Sequence, residues 1–265
     1  MGTRGSKYYE NKTKKVEQQM RDSKKERYIE LPYDPESERI DYELFNQLKQ
    51  NGISVRQSTD NATLEELRPH QEQLLNLSKK YKSKVQELSK HSEIKLCMHT
   101  IDDAWGYWRP GDDCNVTRIA LSGTVIKRNY FYVALKQEAI DKGESALVDK
   151  QNVKIFTTTH EFGHMLEDCI IHKRYLKEAK HLNITYSEYQ KVEAERIKNQ
   201  VVKILQNKYT LPVNDDMIYV SSGAKKGVKE NAYFEWFAET FTNLELSSKP
   251  MPIAKALGEY IRSVE

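Results

Sequence analysis

The chain has 265 residues, of which 31% are charged and 38% hydrophobic, with a formal charge of only +3 at pH 7. That length suits one domain of ordinary size plus an extension, and a charge so close to balance gives no argument for a nucleic-acid partner. No apolar run approaches the ~18 residues of a membrane span, and the first nine residues lack the apolar stretch of a signal peptide. Three widely spaced cysteines with no C-x-x-C pair argue against a disulfide scaffold and a cysteine zinc site. The expectation is a soluble chain without a Sec-type address, cytoplasmic or virion-associated, with no nucleic-acid or membrane partner.

Residues 1–30 hold nine Lys/Arg against five acids. They read as a solvated basic arm, or as one that docks on a phage or host protein partner. Pro32 and Pro35 interrupt any helix there. Ile40, Leu44, Phe45 and Leu48 then recur on one helix face before the turn at Asn51-Gly52. Residues 1–60 are thus expected to form a basic, partly flexible extension with helical content, and residues 61–265 the main domain.

Thr63-Leu64-Glu65-Glu66 is a capping box. The helix it opens is carried by Leu67, Leu74, Leu75, Leu77, Tyr81 and Val85 to about residue 91. Residues 94–98 read as a short strand and 102–115 as an aromatic loop. The β-branched and aromatic segments 117–121 and 124–135 read as two further strands around a Ser122-Gly123 turn. In zinc peptidases such a strand runs beside the active-site helix and offers its edge to a substrate backbone; the other reading is an ordinary interior strand.

A helix over 152–174 carries His160-Glu161-Phe162-Gly163-His164. The H-E-x-x-H spacing sets both imidazoles on one helix face, a turn apart, where they can share one zinc ion. Glu161 then lies beside the metal, placed to take a proton from a metal-activated water and pass it to a leaving amine. In a chain of this length the pattern arises by chance at roughly the per-cent level or below. The competing reading is a wet helix face, so the flanks matter. Gly163 costs about 1 kcal/mol against alanine in a helix interior, which implies that another segment approaches there. A charged helix follows over 186–209, then a Gly/Lys loop over 221–229.

A zinc site needs at least one more protein ligand, and Asp168, His172, His181, Glu188 and Glu235 are the candidates. The extended metzincin pattern is excluded, because Glu167 and Ile170 stand where it needs glycine and histidine. Glu235 is the strongest candidate. With Glu239 it borders a stripe of Phe234, Phe237, Ala238, Phe241 and Leu244, and half-buried carboxylates a turn apart are costly unless a cation or an N–H satisfies them. The alternative is two solvated glutamates.

His160-Glu161-Phe162-Gly163-His164 followed by an acidic pair, then E-x-F-A-E-x-F at 235–241, resembles the anthrax lethal factor-like gluzincin metallopeptidases. That group includes the Pro-Pro endopeptidases, and related domains occur in phage minor head proteins. The resemblance implies one Zn2+ held by His160, His164 and Glu235, with Glu161 as general base and Glu239 supporting the ligands. It also implies an oxyanion-stabilising tyrosine about seven residues before the glutamate ligand, where this chain has Val228; Tyr219 and Tyr233 are the nearest substitutes.

The expected fold is α+β and zincin-like, with a small sheet packed on the H-E-x-x-H helix, a mostly helical C-terminal part and a helical N-terminal extension. The expected function is zinc-dependent endopeptidase action on a protein or peptide substrate. From another class, the alternative is a phage head or other structural, docking protein with a vestigial zincin domain.

Overall fold

The computed structural model describes residues 42–51, 53–57, 64–89, 93–99, 106–109, 116–122, 129–178, 184–208 and 213–264. The basic arm, Pro32, Pro35, Thr63 and His181 lie outside the described residues. The elements begin with α1 (Tyr42–Gln50), β1 (Ile53–Gln57), α2 (Leu64–Lys80), α3 (Lys82–Ser89), β2 (Glu93–His99), β3 (Gly106–Arg109), β4 (Val116–Ser122) and α4 (Asn129–Asp141). A 3-10 segment (Lys150–Ile155) leads into α5 (Phe156–Glu178), followed by α6 (Tyr186–Lys208), α7 (Asp215–Ile218), α8 (Ser222–Lys229), α9 (Tyr233–Leu246) and α10 (Pro252–Ser263).

α5 is the axis of the fold. Its residues from Phe156 to His172 are buried with the single exception of His160: apolar side chains cover most of the circumference, and the polar residues of the remaining face, Thr157, Glu161, His164, Asp168 and His172, are buried as well, so the helix needs neighbours all round. α2, α3, α6, α9, β3 and β4 supply them. α9 makes the closest approach, at Gly163. A Cβ there would lie 3.1 Å from the Ala238 Cα and 3.1 Å from Phe241 Cδ1. The missing side chain is thus the clearance between two helices, as the helix-interior glycine implied. Phe162 stacks on Phe241 with ring centroids 6.0 Å apart, and Tyr81 adds a third ring 5.5 Å from Phe241. The Tyr81 hydroxyl donates to Glu245 at 2.6 Å, which ties the α2–α3 turn to α9.

Three consecutive threonines fix the rotation of α5 about its axis. Thr157 exchanges hydrogen bonds with the Tyr132 hydroxyl of α4, at 2.8 Å through its own hydroxyl and 3.2 Å through its N–H. Thr158 pairs with His70 Nδ1 at 2.7 Å, and Gln73 donates to the Thr159 hydroxyl at 3.0 Å. Buried hydroxyls need partners, and these partners come from two different helices. Burial, with Lys154 adding to it, pushes the His70 imidazolium down to about 4, so the ring is neutral in the fold.

The α+β expectation is corrected: the described residues are predominantly helical, and helices hold every side chain of the site. Segment 124–135, read as a second strand, is helix α4 from Asn129, and segment 221–229, read as a loop, is helix α8. In α4 the buried positions Tyr132, Lys136 and Ile140 recur every four residues, while Tyr130 and Phe131 are exposed. Tyr132 docks because it falls on that period-four face, while Tyr130 and Phe131 beside it stay outside. Burial of a period-four face overrides propensity. Among the described residues, strand backbone is confined to short pairings in the order β1-β2-β4-β3, parallel except for β3 against β4. α1 and β1, inside the expected extension 1–60, pack on α2 and β2, and Leu44 and Leu48 join the core. Among the described residues no helix is long and apolar enough to cross a membrane.

Two measurements check this arrangement. Gly163→Val forces α5 and α9 apart and is expected to lower unfolding stability by about 2 kcal/mol, the usual range for overpacking, read by urea denaturation. For His70, a folded pKa below the unfolded one means that the unfolded chain binds the proton first. Stability is then lost as pH falls from about 6.5 through about 4, by at most ~3 kcal/mol. His70→Gln is expected to show a shallower fall than wild type over that window.

Candidate metal centre

His160 and His164 lie one turn apart on α5, and their Nε2 atoms are 3.1 Å apart with the rings edge to face. Glu235, in the first turn of α9, faces both, with Oε2 3.4 Å from His160 Nε2 and Oε1 3.8 Å from His164 Nε2. Among the described residues these three form the group of His, Cys, Asp and Glu side chains whose ligand atoms lie within 4.8 Å of one another. Four-coordinate zinc with bonds of about 2.0–2.1 Å sets its ligand atoms about 3.3 Å apart. The observed separations bracket that value, and two imidazoles with a carboxylate form a donor set that zinc accepts.

Local sequence puts Glu235 there. Asn231, at φ 59°, turns the chain from α8 into α9, a backbone state asparagine tolerates. At Gly227 a Cβ would lie 2.8 Å from the Glu235 Cβ and 3.0 Å from the Ala232 carbonyl oxygen, so α8 can close behind the carboxylate. The clearance at Gly163 does the same from the histidine side.

Glu239, one turn beyond Glu235, holds the arrangement from behind. Its Oε1 is 3.5 Å from His160 Nδ1. Its Oε2 accepts from the Ala146 N–H at 2.5 Å and the Ser221 hydroxyl at 3.0 Å. Ser221 in turn accepts the Ala224 N–H at 3.0 Å and so caps α8. One carboxylate therefore faces a histidine ring and ties the 145–149 segment to the start of α8. A carboxylate behind a ligating histidine orients the ring and sets its tautomer.

Charge is concentrated here. Burial alone would depress the His160 imidazolium, but the hydrogen bond to Glu235 and the charges of Glu235, Glu161 and Glu239 outweigh it and carry the group up to about 9. Burial opposes ionisation of Glu235, yet the His160 hydrogen bond and the His164, His160 and Lys136 charges hold it down to about 2. Burial pushes His164 down to about 4. The cluster thus attracts a cation, and a proton on His160 competes with a metal for the same place.

A cavity of about 210 Å³ opens on this cluster, lined by His160, Glu161, Glu235 and Glu239 together with Phe156 and Thr157. Glu161 is buried beside the histidines. Lys136 and Gly106 complete the lining. Sequence reading missed Lys136, since it stood just past a segment read as strand. Read as a helix, Tyr132 and Lys136 share one face.

The other ligand candidates are held elsewhere. Asp168 accepts from the Tyr186 hydroxyl and from Gln190, and the His172 ring packs edge-on against Tyr186. Glu188 caps α6 by accepting from the Thr185 N–H at 3.0 Å. Of the two substitute tyrosines, Tyr219 lies beneath Lys225 and Tyr233 beneath Lys198, and neither lines the cavity. No protein-family model, curated protein or solved structure matches this chain.

Metal analysis checks the centre. Wild type is expected to carry one equivalent of zinc, Glu235→Ala to lose it, and Glu188→Ala to keep it. Glu239→Ala is expected to weaken zinc affinity about 10–100-fold, the usual effect of removing a partner of a ligating histidine.

Proposed function

We propose that this chain is a zinc-dependent endopeptidase of the gluzincin type, with His160, His164 and Glu235 as ligands. The observation that carries the proposal is the convergence of two Nε2 atoms 3.1 Å apart on one carboxylate, 3.4 and 3.8 Å away, in a cavity that Glu161 also lines. The resemblance of the two sequence blocks to lethal factor-like gluzincins supports the same reading. Zinc bound there supplies Lewis-acid polarisation of the scissile carbonyl and lowers the pKa of water.

The chain's own residues do the rest. Glu161 takes one proton from the attacking water and later delivers it to the amine nitrogen, so that peptide plus water becomes acid plus amine. Glu235 and Glu239 turn their carboxylates toward the two imidazoles. Phe156, whose ring stacks 6.1 Å from that of His160, keeps one wall of the cavity apolar. The substrate class is a protein or peptide.

One observation favours a second reading, a structural or docking component such as a phage head protein with a vestigial site. Among the described residues no tyrosine lines the cavity, so none of them takes the place of the oxyanion-stabilising tyrosine that the resemblance implies. In that reading the basic arm at 1–30 would be the docking element.

Glu161→Gln separates the two. It is expected to retain zinc while cleavage of a random peptide library falls by about 10²–10⁴-fold, the span of general-base contributions. A wild type without metal-dependent cleavage favours the docking reading, and a glutamine variant that cleaves as wild type does overturns Glu161 as the general base.

A further inference from the structure

The cavity holds a positive group that the reading so far leaves without a role. Lys136 is 7% exposed and comes from α4, outside the two motif helices. Its ammonium donates to the Ser145 hydroxyl at 3.3 Å and lies 4.2 Å from the centroid of the Phe156 ring. It lines the same cavity as Glu161 and the three ligand-bearing or ligand-orienting side chains. A buried ammonium is costly, and an unbranched apolar side chain would fill that place without desolvation cost. The ring face and the hydroxyl fix the ammonium before any substrate arrives.

We infer that Lys136 is the oxyanion donor: its ammonium N–H hydrogen-bonds the carbonyl oxygen that gains negative charge when water adds to the scissile peptide. This rests on the peptidase reading. In the step, the water oxygen forms the new C–O bond, the carbonyl π pair moves onto oxygen, and the water proton goes to Glu161. On collapse that pair restores the C=O bond, the C–N bond breaks with its pair on nitrogen, and nitrogen takes the proton from Glu161. Lys136 keeps its proton throughout.

The electrostatics favour this role over simple neutralisation. As Glu161 is protonated its charge disappears, and an equal negative charge appears on the carbonyl oxygen within the same walls. An ammonium fixed in that wall loses one partner and gains another without moving. Donors already in place are what makes such sites effective. Burial lowers the ammonium to about 8, while the charges of Glu239, Glu161 and Glu235 oppose that fall.

The test uses the zinc-loaded full chain and a phosphinate analogue of the best peptide cleaved from a random library, since a phosphinate presents a tetrahedral anion where the peptide carbonyl would be. Lys136→Met is expected to keep one equivalent of zinc and an unchanged KM, while phosphinate affinity by calorimetry and kcat both fall about 10²-fold. Lys136→Arg is expected to recover most of the phosphinate affinity. If the methionine variant does not fold, Lys136→Gln replaces it in the same comparison. Wild-type phosphinate affinity in the neutral variant overturns the assignment, and so does loss of zinc together with phosphinate affinity, since Lys136 would then be supporting the metal site. A zinc-loaded wild type that cleaves no peptide overturns the peptidase reading itself.

Discussion

The close approach of α5 and α9 at Gly163 is the constraint on which the rest of the structure depends. With Ala238 Cα 3.1 Å from where a Cβ would stand, two helices carry their polar residues into one cavity. His160 and His164 reach in from one side, and Glu235 and Glu239 from the other. Interhelix distances of 8–10 Å are set by the side chains at the crossing. A larger residue at position 163 would separate imidazole from carboxylate by more than the few tenths of an ångström that coordination tolerates. The aromatic layer of Tyr81, Phe162 and Phe241 lies beside this crossing and buries the area that stabilises it.

Distance alone would leave the helices free to rotate, and buried polar groups remove that freedom. Thr157, Thr158 and Thr159 each bind a partner on α4 or α2, so turning α5 would break hydrogen bonds in a dry interior. Glu239 does the same for α9, tying it to Ala146 and Ser221, and Asn243 extends the tie to the Leu147 carbonyl at 2.7 Å. Losing one such partner leaves a buried polar group unsatisfied at a cost of about 1–3 kcal/mol. The site is thus held by the same hydrogen bonds that specify helix rotation, which couples its geometry to folding.

The charge pattern follows from that framework. Three glutamates and one lysine meet in a cavity that, in the absence of metal, draws a proton onto His160. The carboxylates are tolerable there because cations face them, His160 and Lys136 among them. Carboxylates gathered this way would be offset by a divalent ion as well as by the ammonium, and the proposed chemistry moves a negative charge between two places that both see that ammonium.

Much of the site was legible in the chain, since it rests on local spacing. His160, Glu161 and His164 lie on one helix, and a four-residue interval fixes their shared direction whatever surrounds them. Glu235 and Glu239 were legible for the same reason, as carboxylates bordering an apolar stripe. The helix-interior Gly163 announced a close neighbour without naming it. The fold class was not legible. Segment 124–135 has strand composition, yet from Asn129 on it folds as α4, because burial of Tyr132, Lys136 and Ile140 on one helix face outweighs a preference worth only tenths of a kcal/mol per residue. The apolar stripe singled out Glu235 over Asp168, His172 and Glu188; what the chain did not show is that each of those three is held by another partner. The sequence by itself determined which side chains share a helix face. Only the tertiary structure decided which faces meet, and so brought Lys136 to the cavity, because contacts between helices depend on packing around α5 rather than on any interval along the chain.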